Sequence, residues 1–414
     1  MFKSFFPMPK VFFISALAWG IFAVIVWFAA GEQFGSVLGM APPPADAAPV
    51  IWPSRFLMPE YLWFYIYFAA AIFIFYGFWA WYAPHPWQNW SILGSSLIIF
   101  VVNFNVQVNV ALNDWRGAFY DLVQKALTTP GSVSTGELYS GIAQFLSIAL
   151  IAIVVLVLNL FFVRHWIFRW RTAMNDFYVA NWPRLRTVEG ASQRVQDDTM
   201  RFSNAVEDLG VTFIDSIMTL IAFLPVLAAL SSHVTSLPVV GVIPYPLMFA
   251  AIAWALFGSV LLPLVGIKLP GLEFRNQRVE AAFRKELVYG EDDATRAQPP
   301  TLAQLFAAVR RSYFTLYFHY VYFDVVRWLY IQTDNVFATF LLVPTLAVGK
   351  ITFGIYQQVV TAFSQVTNSF QFLVNSWSDI IRLISIYKRL KAFEATLEGE
   401  DLGKIEKEPV AQVG

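Results

Sequence analysis

Several long apolar stretches run along this chain, and polar or charged residues stand inside some of them. This pattern restricts the fold to membrane-spanning helices, because hydrocarbon offers no water to hydrogen-bond an open backbone. A polar side chain within such a helix must face either another part of the protein or water. The sequence therefore predicts a polytopic, all-α membrane protein with a water-accessible path, and transport is the first functional hypothesis.

Composition agrees with a membrane protein and argues against several other classes. Hydrophobic residues make up 57% of the 414 residues and charged residues only 14%, whereas soluble domains average about 25% charged residues. The net charge is zero, which gives no reason to expect nucleic acid as a partner. The absence of cysteine removes disulfides, thiolate metal sites and cysteine nucleophiles. We predict no catalytic residue, metal site or cofactor, and an enzyme is not expected.

Hydropathy predicts eight spans. They lie at about 11–30, 61–83, 91–112, 139–163, 206–231, 245–266, 313–347 and 351–384. A signal peptide is the alternative for the first stretch, but that stretch is long for one and the membrane pattern continues behind it. The last two spans are longer and less apolar than the others.

Basic residues cluster in alternate connecting segments. Segment 164–205 contains seven and segment 267–312 contains eight, whereas 31–60 contains one and 113–138 contains two. The positive-inside rule places the basic segments in the cytoplasm. With eight spans, both termini are then predicted to be cytoplasmic. The cytoplasmic segments have helix-favouring sequences without breakers, so we expect some spans to continue into the cytosol as long helices.

Spans seven and eight each carry a polar stripe at helical spacing. In span seven, Tyr320, Asp324 and Arg327 share one face, and the alternative is an Asp324–Arg327 pair within a single helix. Span eight repeats uncharged polar residues over many turns, which hydrogen bonds between helices explain less well than water does. That stripe includes Gln365, Asn368 and Asn375. The two stripes predict a water-filled cavity lined by spans seven and eight.

Spans three and five also contain polar residues. Span three carries Asn103, Asn105, Gln107 and Asn109 in alternation. Inside a membrane this predicts a helix that is polar on two faces and is covered by either protein or water. Span five opens with Glu207 and Asp208 and carries Asp215 one or two turns deeper. A carboxylate moved toward low dielectric can exchange protons near neutral pH, while the ordinary alternative for the first two is a helix start.

Two long segments and the first residues resemble the SbmA/BacA peptide transporters of Gram-negative inner membranes. The similarity extends over nearly the whole chain and is weakest at 31–60 and in the tail. It rests on Met1-Phe2-Lys3-Ser4-Phe5-Phe6-Pro7, on Phe168-Arg169-Trp170-Arg171-Thr172-Ala173-Met174-Asn175, on Gln193-Arg194-Val195-Gln196 with Asp198-Thr199-Met200-Arg201-Phe202, and on 271–297, which begins Gly271-Leu272-Glu273-Phe274-Arg275-Asn276-Gln277-Arg278-Val279-Glu280.

This resemblance implies a homodimeric importer of peptides and peptide-like antibiotics, driven by the proton gradient across the inner membrane. It implies accessory helices at 1–90, a core of six long helices at 91–390 that is similar to the membrane domain of ABC exporters, and a polar tail at 391–414. The acidic residues it assigns to the proton path are Glu207, Glu280 and Glu291, with Glu273 and Glu286 in the same motif. Tyr120 and Phe223 lie in matching stretches and are assigned to the substrate cavity. The sequence departs from the family pattern at Asp215 and Asp324, where amides are expected.

The sequence is compatible with two other functions. The chain lacks a phosphate-binding loop, because Gly349-Lys350-Ile351 has neither the hydroxyl residue nor the earlier glycine of that motif. ATP hydrolysis by that route is therefore not expected, but the membrane half of an ABC-type transporter with a separate ATPase chain is the main alternative. A structural or lipid-modifying membrane factor is the third class.

Overall fold

The computed structural model describes residues 1–40, 49–186, 188, 191–234, 237–238, 241–293, 295–395 and 397. The chain divides into two compact units. Unit 1 consists of Met1–Pro225, Thr352–Gln358 and Ser376–Gly414, and unit 2 consists of Val226–Ile351 and Val359–Asn375. The sequence-based division at residues 90 and 390 stays a prediction, and residues 398–414 of the predicted tail lie outside the described residues.

Regular structure in the described residues is helical, apart from one isolated bridge between Leu237 and Gly241. Unit 1 contains α1 (Pro9–Val26), α2 (Glu32–Val37), α3 (Pro59–Tyr82), α4 (Ser95–Thr128), α5 (Thr135–Ala180), α6 (Trp182–Leu185), α7 (Ala191–Gln193), most of α8 (Thr199–Leu230), and α13 (Trp377–Ala395). Unit 2 contains α9 (Pro246–Gly266), α10 (Leu269–Asp292), α11 (Pro299–Ala347) and most of α12 (Phe353–Asn375). A 3-10 turn at Pro53–Leu57 precedes α3, and a π-helical turn at Asn89–Gly94 leads into α4.

Six helical segments of the described chain are long and apolar enough to cross a membrane. They are Pro9–Gly31, Pro59–Tyr82, Asn89–Thr128, Thr135–Ala180, Ala191–His233 and Pro246–Glu291. They coincide with the first six predicted spans, and the alternating amides of span three lie on a helix, α4. The all-α, multi-pass architecture is therefore confirmed. Helices α11 and α12 are less apolar and fall outside these six, so the count of eight spans stays a prediction.

Several helices are much longer than their apolar stretches. Helix α5 has 46 residues and α11 has 49, which at about 1.5 Å per residue makes each about 70 Å long. The hydrocarbon core of a bilayer is only about 30 Å thick. The long helices agree with the expectation from the polar segments, because hydropathy marks only the part of a helix that lies in hydrocarbon.

Glycines bring α4 and α5 into close contact. The indole Nε1 of Trp115 donates a 2.8 Å hydrogen bond to the carbonyl oxygen of Gly141, and a Cβ at Gly141 would lie 2.5 Å from the ring of Phe119. At the other end of the pair, a Cβ at Gly94 would lie 2.8 Å from the indole of Trp166. Small residues permit such close approach between membrane helices, and this pairing fixes the wall of the cleft described next.

Candidate functional site

A cleft of about 1700 Å³ lies within unit 1. Its walls come from α1, α3, α4, α5, α8 and α13, and most of its lining side chains are apolar or aromatic. One end is fixed by an aromatic cluster, in which the ring of Trp170 stacks on Phe5 at 5.7 Å and meets Phe202 edge-on at 5.4 Å. The few polar groups in an apolar cleft determine what it can bind or transfer.

Glu207 of α8 lines this cleft. Its side chain is 27% exposed, and its nearest cationic group is the Nε of Arg164, 3.8 Å from Oε1 on a side chain that is 72% exposed. That distance is too long for a hydrogen bond, and such exposed pairs contribute little stability. Among the described residues, Glu207 therefore has no strong partner.

Asp215 occupies a different face of α8. It is exposed, and it does not line the cleft. Near it, the Thr212 hydroxyl donates a 2.7 Å hydrogen bond to the Asp208 carbonyl oxygen. Glu207 and Asp215, the two carboxylates of this helix that were predicted to couple protons, are thus not brought together within unit 1.

In unit 2, two predicted residues from different helices meet. The Tyr320 hydroxyl of α11 donates a 2.8 Å hydrogen bond to Oε1 of Glu273 on α10. Asp324 lies one turn further along α11 and is half-buried. This contact joins the span-seven stripe to the acidic motif, a link that spacing within either segment does not predict.

The other acidic residues of α10 have different surroundings. Glu286 accepts hydrogen bonds from Nη2 of Arg296 at 2.6 Å and from the backbone N–H of Ala297 at 3.1 Å, and these bonds order the turn that leads toward α11. The hydrogen bond and charge of Glu286 raise the pKa of Arg296 above its ordinary value. Glu280 is half-buried and Glu291 is exposed. The described residues contain no group of three or more potential metal ligands.

The polar stripe of α12 is present on one helical face. Gln365 is half-buried and Asn368 is exposed, whereas Val359, Phe363 and Val366 on the opposite face are fully buried. The side chain of Gln371 donates a 2.6 Å hydrogen bond to the Tyr330 hydroxyl of α11, so a polar contact joins α11 and α12 within unit 2. The Asn375 side chain lies outside the described residues.

One half-buried network was missed by the sequence reasoning. The indole Nε1 of Trp254 on α9 donates a 2.7 Å hydrogen bond to Asp334 on α11, and the Trp254 ring stacks on Tyr330 at 5.3 Å. Asp334 lies seven residues beyond Arg327, so continuing the span-seven stripe by two turns would have found it. Trp254 stands in a uniformly apolar stretch and gave no signal.

The two aromatic residues assigned to the substrate cavity by resemblance lie in packed surroundings. Phe223 is fully buried. Tyr120 is half-buried and meets the Phe353 ring edge-on at 5.3 Å. Its neighbour Asp121 accepts a 2.7 Å hydrogen bond from the backbone N–H of Gly354. This stretch of α4 therefore anchors the start of α12, a contact that no sequence pattern indicated.

Comparison with known proteins gives one family and several distant relatives. Residues 84–398 match the model of the SbmA/BacA-like family. The chain is 22% identical to the inner membrane ABC transporter ATP-binding protein YddA of Escherichia coli, over 76% of this chain and 59% of that protein. It is 21% identical to an uncharacterized ABC transporter ATP-binding protein of Synechocystis, over 76% of this chain and 47% of the relative. It is 23% identical to the chloroplastic ABC transporter D family member 2 of Arabidopsis thaliana, over 56% and 33% of the two chains. The chain thus spans between a third and three fifths of these relatives.

Proposed function

The chain belongs to the SbmA/BacA-like family, and from this premise we propose that it imports peptides and peptide-like antibiotics across the bacterial inner membrane. The proton gradient supplies the driving force. Peptide and protons enter together, and two copies of the chain related by a twofold axis enclose the substrate path. In this proposal both termini are cytoplasmic, as the distribution of basic residues predicts.

The position of Glu207 carries the proposal. A carboxylate that lines an apolar cleft and lacks a strong partner can lose and regain its charge during a transport cycle. One unit of pH contributes about 1.4 kcal/mol per proton, and 100 mV of membrane potential contributes about 2.3 kcal/mol per charge. One proton moving down both gradients therefore releases enough free energy to accumulate peptide inside the cell against its own concentration gradient.

The exposed faces of α11 and α12 support a peptide as the substrate. Gln365 and Asn368 offer donors and acceptors together, which is what a peptide backbone requires. The tyrosine and carboxylate of the Tyr320–Glu273 pair add a second polar surface on α10 and α11. Side chains of this kind bind many sequences through the backbone rather than selecting one.

The names of the relatives favour one alternative. Three of them are described as ABC transporter proteins, two with an ATP-binding label. This chain would then form the membrane part of such a transporter, with ATP hydrolysis supplied by another domain or chain, since the 414 residues contain no phosphate-binding loop.

Uptake of a labelled peptide into liposomes containing the purified protein separates these functions. We expect uptake when an inward proton gradient is imposed without ATP, and loss of uptake when an uncoupler collapses the gradient. Uptake that requires ATP and a second protein, and that is insensitive to the uncoupler, would support the ABC alternative. A protein that moves no peptide under either condition would contradict both and favour a structural role.

A further inference from the structure

Helix α4 and the turn before it present a row of polar side chains to the cleft of unit 1. Ser91, Ser95, Asn103 and Gln107 all line the cleft and are spaced by four residues, with Ile99 at the missing step. Residues four apart lie on one face of a helix. Ser91 and Gln107 are sixteen residue steps apart, or about 24 Å of helix, which is close to the thickness of the hydrocarbon core.

The row contains a buried group without a protein partner. Ser91 is 1% exposed, and its hydroxyl has no hydrogen-bond partner among the described residues. A buried hydroxyl without a partner costs free energy unless a water or ligand satisfies it. By contrast, the hydroxyl of Ser95, the next residue of the row, donates a 2.8 Å hydrogen bond to the Ser91 carbonyl oxygen. A water at this end of the row would satisfy the Ser91 hydroxyl.

A carboxylate that lines the cleft stands near each end of the row. At the Ser91 end, the Trp166 indole donates a 2.8 Å hydrogen bond to the Trp90 carbonyl oxygen. Arg164, two residues before Trp166 on α5, lies 3.8 Å from Glu207. At the Gln107 end, the Phe56 ring lies 4.9 Å from the Phe104 ring, and Glu60 follows Phe56 by four residues at the start of α3. Glu60 and Glu207 both line the cleft.

Glu60 is not held by the cationic group beside it. Arg55 pairs with Asp114 at 2.5 Å through Nη1 and donates a 3.0 Å hydrogen bond to the Tyr61 hydroxyl through Nε, so it acts on Glu60 through its charge and not through a hydrogen bond. Among the described residues, Glu60 has neither an ion pair nor a hydrogen bond. The charged or titratable groups near the two carboxylates include Arg55, Tyr61, Tyr65 and Asp114 at one end and Arg164 at the other.

We infer that this row is a water file that conducts protons between Glu60 and Glu207, with Ile99 as an apolar gate, and that Glu60 is a second proton-carrying carboxylate. Adjacent positions in the row are about 6 Å apart, and two hydrogen bonds of about 2.8 Å through one water span nearly that distance. The gap between Ser95 and Asn103 is about 12 Å, so the file is interrupted at Ile99. An interruption is needed, because an open file would dissipate the gradient.

The transfer balances without any other reactant. A proton leaves the carboxyl of Glu60 for the nearest water, each water passes one proton on, and the carboxylate of Glu207 accepts the last one. Glu60 is left as a carboxylate and takes its next proton from bulk water at its end of the cleft. The inference rests on proton-driven transport as the proposed function, and it specifies the path of the proton.

Proton leakage into liposomes tests the gate without any peptide. Ile99→Asn completes the row, so we expect it to raise the passive proton leak several-fold over that of the parent protein. Leu97→Asn is the matched control, because Leu97 is on the same helix, is 45% exposed and does not line the cleft. The control should leak as slowly as the parent. Equal leakage through both variants would overturn the water file.

Peptide uptake tests Glu60. We expect Glu60→Gln to lose most of the gradient-driven uptake while peptide binding is kept, and Glu60→Asp to restore uptake in part. The ordinary alternative is that Glu60 stabilises the start of α3, in which case Glu60→Gln would lower the melting temperature slightly and transport normally. That result would overturn the inference and leave the proposed function standing. If the parent protein itself takes up no peptide, the proposed function fails, and the leak measurement still decides whether the file exists.

Discussion

At the scale of single residues, the surroundings of a glutamate decide its role. Glu286 accepts hydrogen bonds from Arg296 and from the Ala297 N–H, so its carboxylate stabilises a turn. Glu207 faces an apolar cleft, and the cationic group beside it is the exposed Arg164, 3.8 Å away. A group that must change its charge in every cycle cannot also be a fixed partner in a strong ion pair, because the pair stabilises one charge state.

This contrast predicts different effects for the same substitution. Glu207→Gln keeps the size and hydrogen-bonding capacity of the side chain but cannot titrate, so we expect it to abolish gradient-driven uptake while peptide binding remains. Glu286→Gln weakens a turn, so we expect a small loss of thermal stability and near-normal uptake. The measurements are liposome uptake, peptide binding and melting temperature. If the Glu207→Gln variant takes up peptide at the parent rate, Glu207 does not couple the proton, and Glu280 and Glu291 are the next residues to test.

The sequence located most of these groups but not their partners. The polar stripes of Tyr320 and Gln365 follow from helical spacing, and the acidic residues of α10 follow from family resemblance. The bonds from Tyr320 to Glu273 and from Trp254 to Asp334 join residues about 50 to 80 positions apart. Such contacts depend on how helices pack, and a single sequence holds no pattern that records them.

At the scale of elements, close helix contacts in unit 2 depend on a glycine. Gly258 of α9 faces Tyr330 of α11, and a Cβ there would lie 2.1 Å from the tyrosine hydroxyl. The same hydroxyl accepts the hydrogen bond from Gln371 of α12. The glycine therefore permits a three-helix contact that holds the polar stripe of α12 in place.

We expect Gly258→Ala to destabilise the protein by about 1–3 kcal/mol, the usual range for overpacking. It should also weaken peptide binding, because displacing Tyr330 removes the bond that orients Gln371. Gly77→Ala is the matched control, since a Cβ at Gly77 on α3 meets nothing within 4 Å. The melting temperature and the peptide dissociation constant are the measurements. Equal behaviour of the two variants would show that the Gly258 contact is not needed.

Element positions were predictable because the bilayer imposes a length and a composition on each span. Element ends were not, since polar continuations such as residues 164–180 of α5 and 299–312 of α11 lie outside the hydropathy signal. The predicted last span, 351–384, is two helices in the structure. Helix α12 ends at Asn375 and α13 begins at Trp377, and neither glycine nor proline marks that break in the sequence.

At the scale of the whole molecule, the exposed polar face of α12 has a consequence for assembly. Asn368 of α12 is exposed, whereas Val359 and Phe363 on the opposite face of the helix are buried. In a bilayer, such a face must meet water or another protein surface. Two chains related by a twofold axis provide both, because they can enclose a water-filled path between their polar faces.

We therefore predict a homodimer as the active form. Native mass spectrometry in mild detergent should show twice the 46.9 kDa mass of one chain. Cross-linking between cysteines introduced at Asn368, in a chain that has none of its own, should join two copies. A monomer that retains full uptake after reconstitution at one copy per liposome would contradict this assembly.

Coupling between peptide and proton is the central claim, and it is tested most directly by running the cycle without an imposed pH difference. Liposomes containing the protein and an internal pH dye are held at equal pH on both sides, with the membrane potential clamped, and peptide is added outside. If the two solutes move together, the entry of peptide must carry protons inward, and the interior becomes acidic. We predict this acidification for the parent protein and its absence for Glu207→Gln. Peptide entry with no change of internal pH would contradict the account.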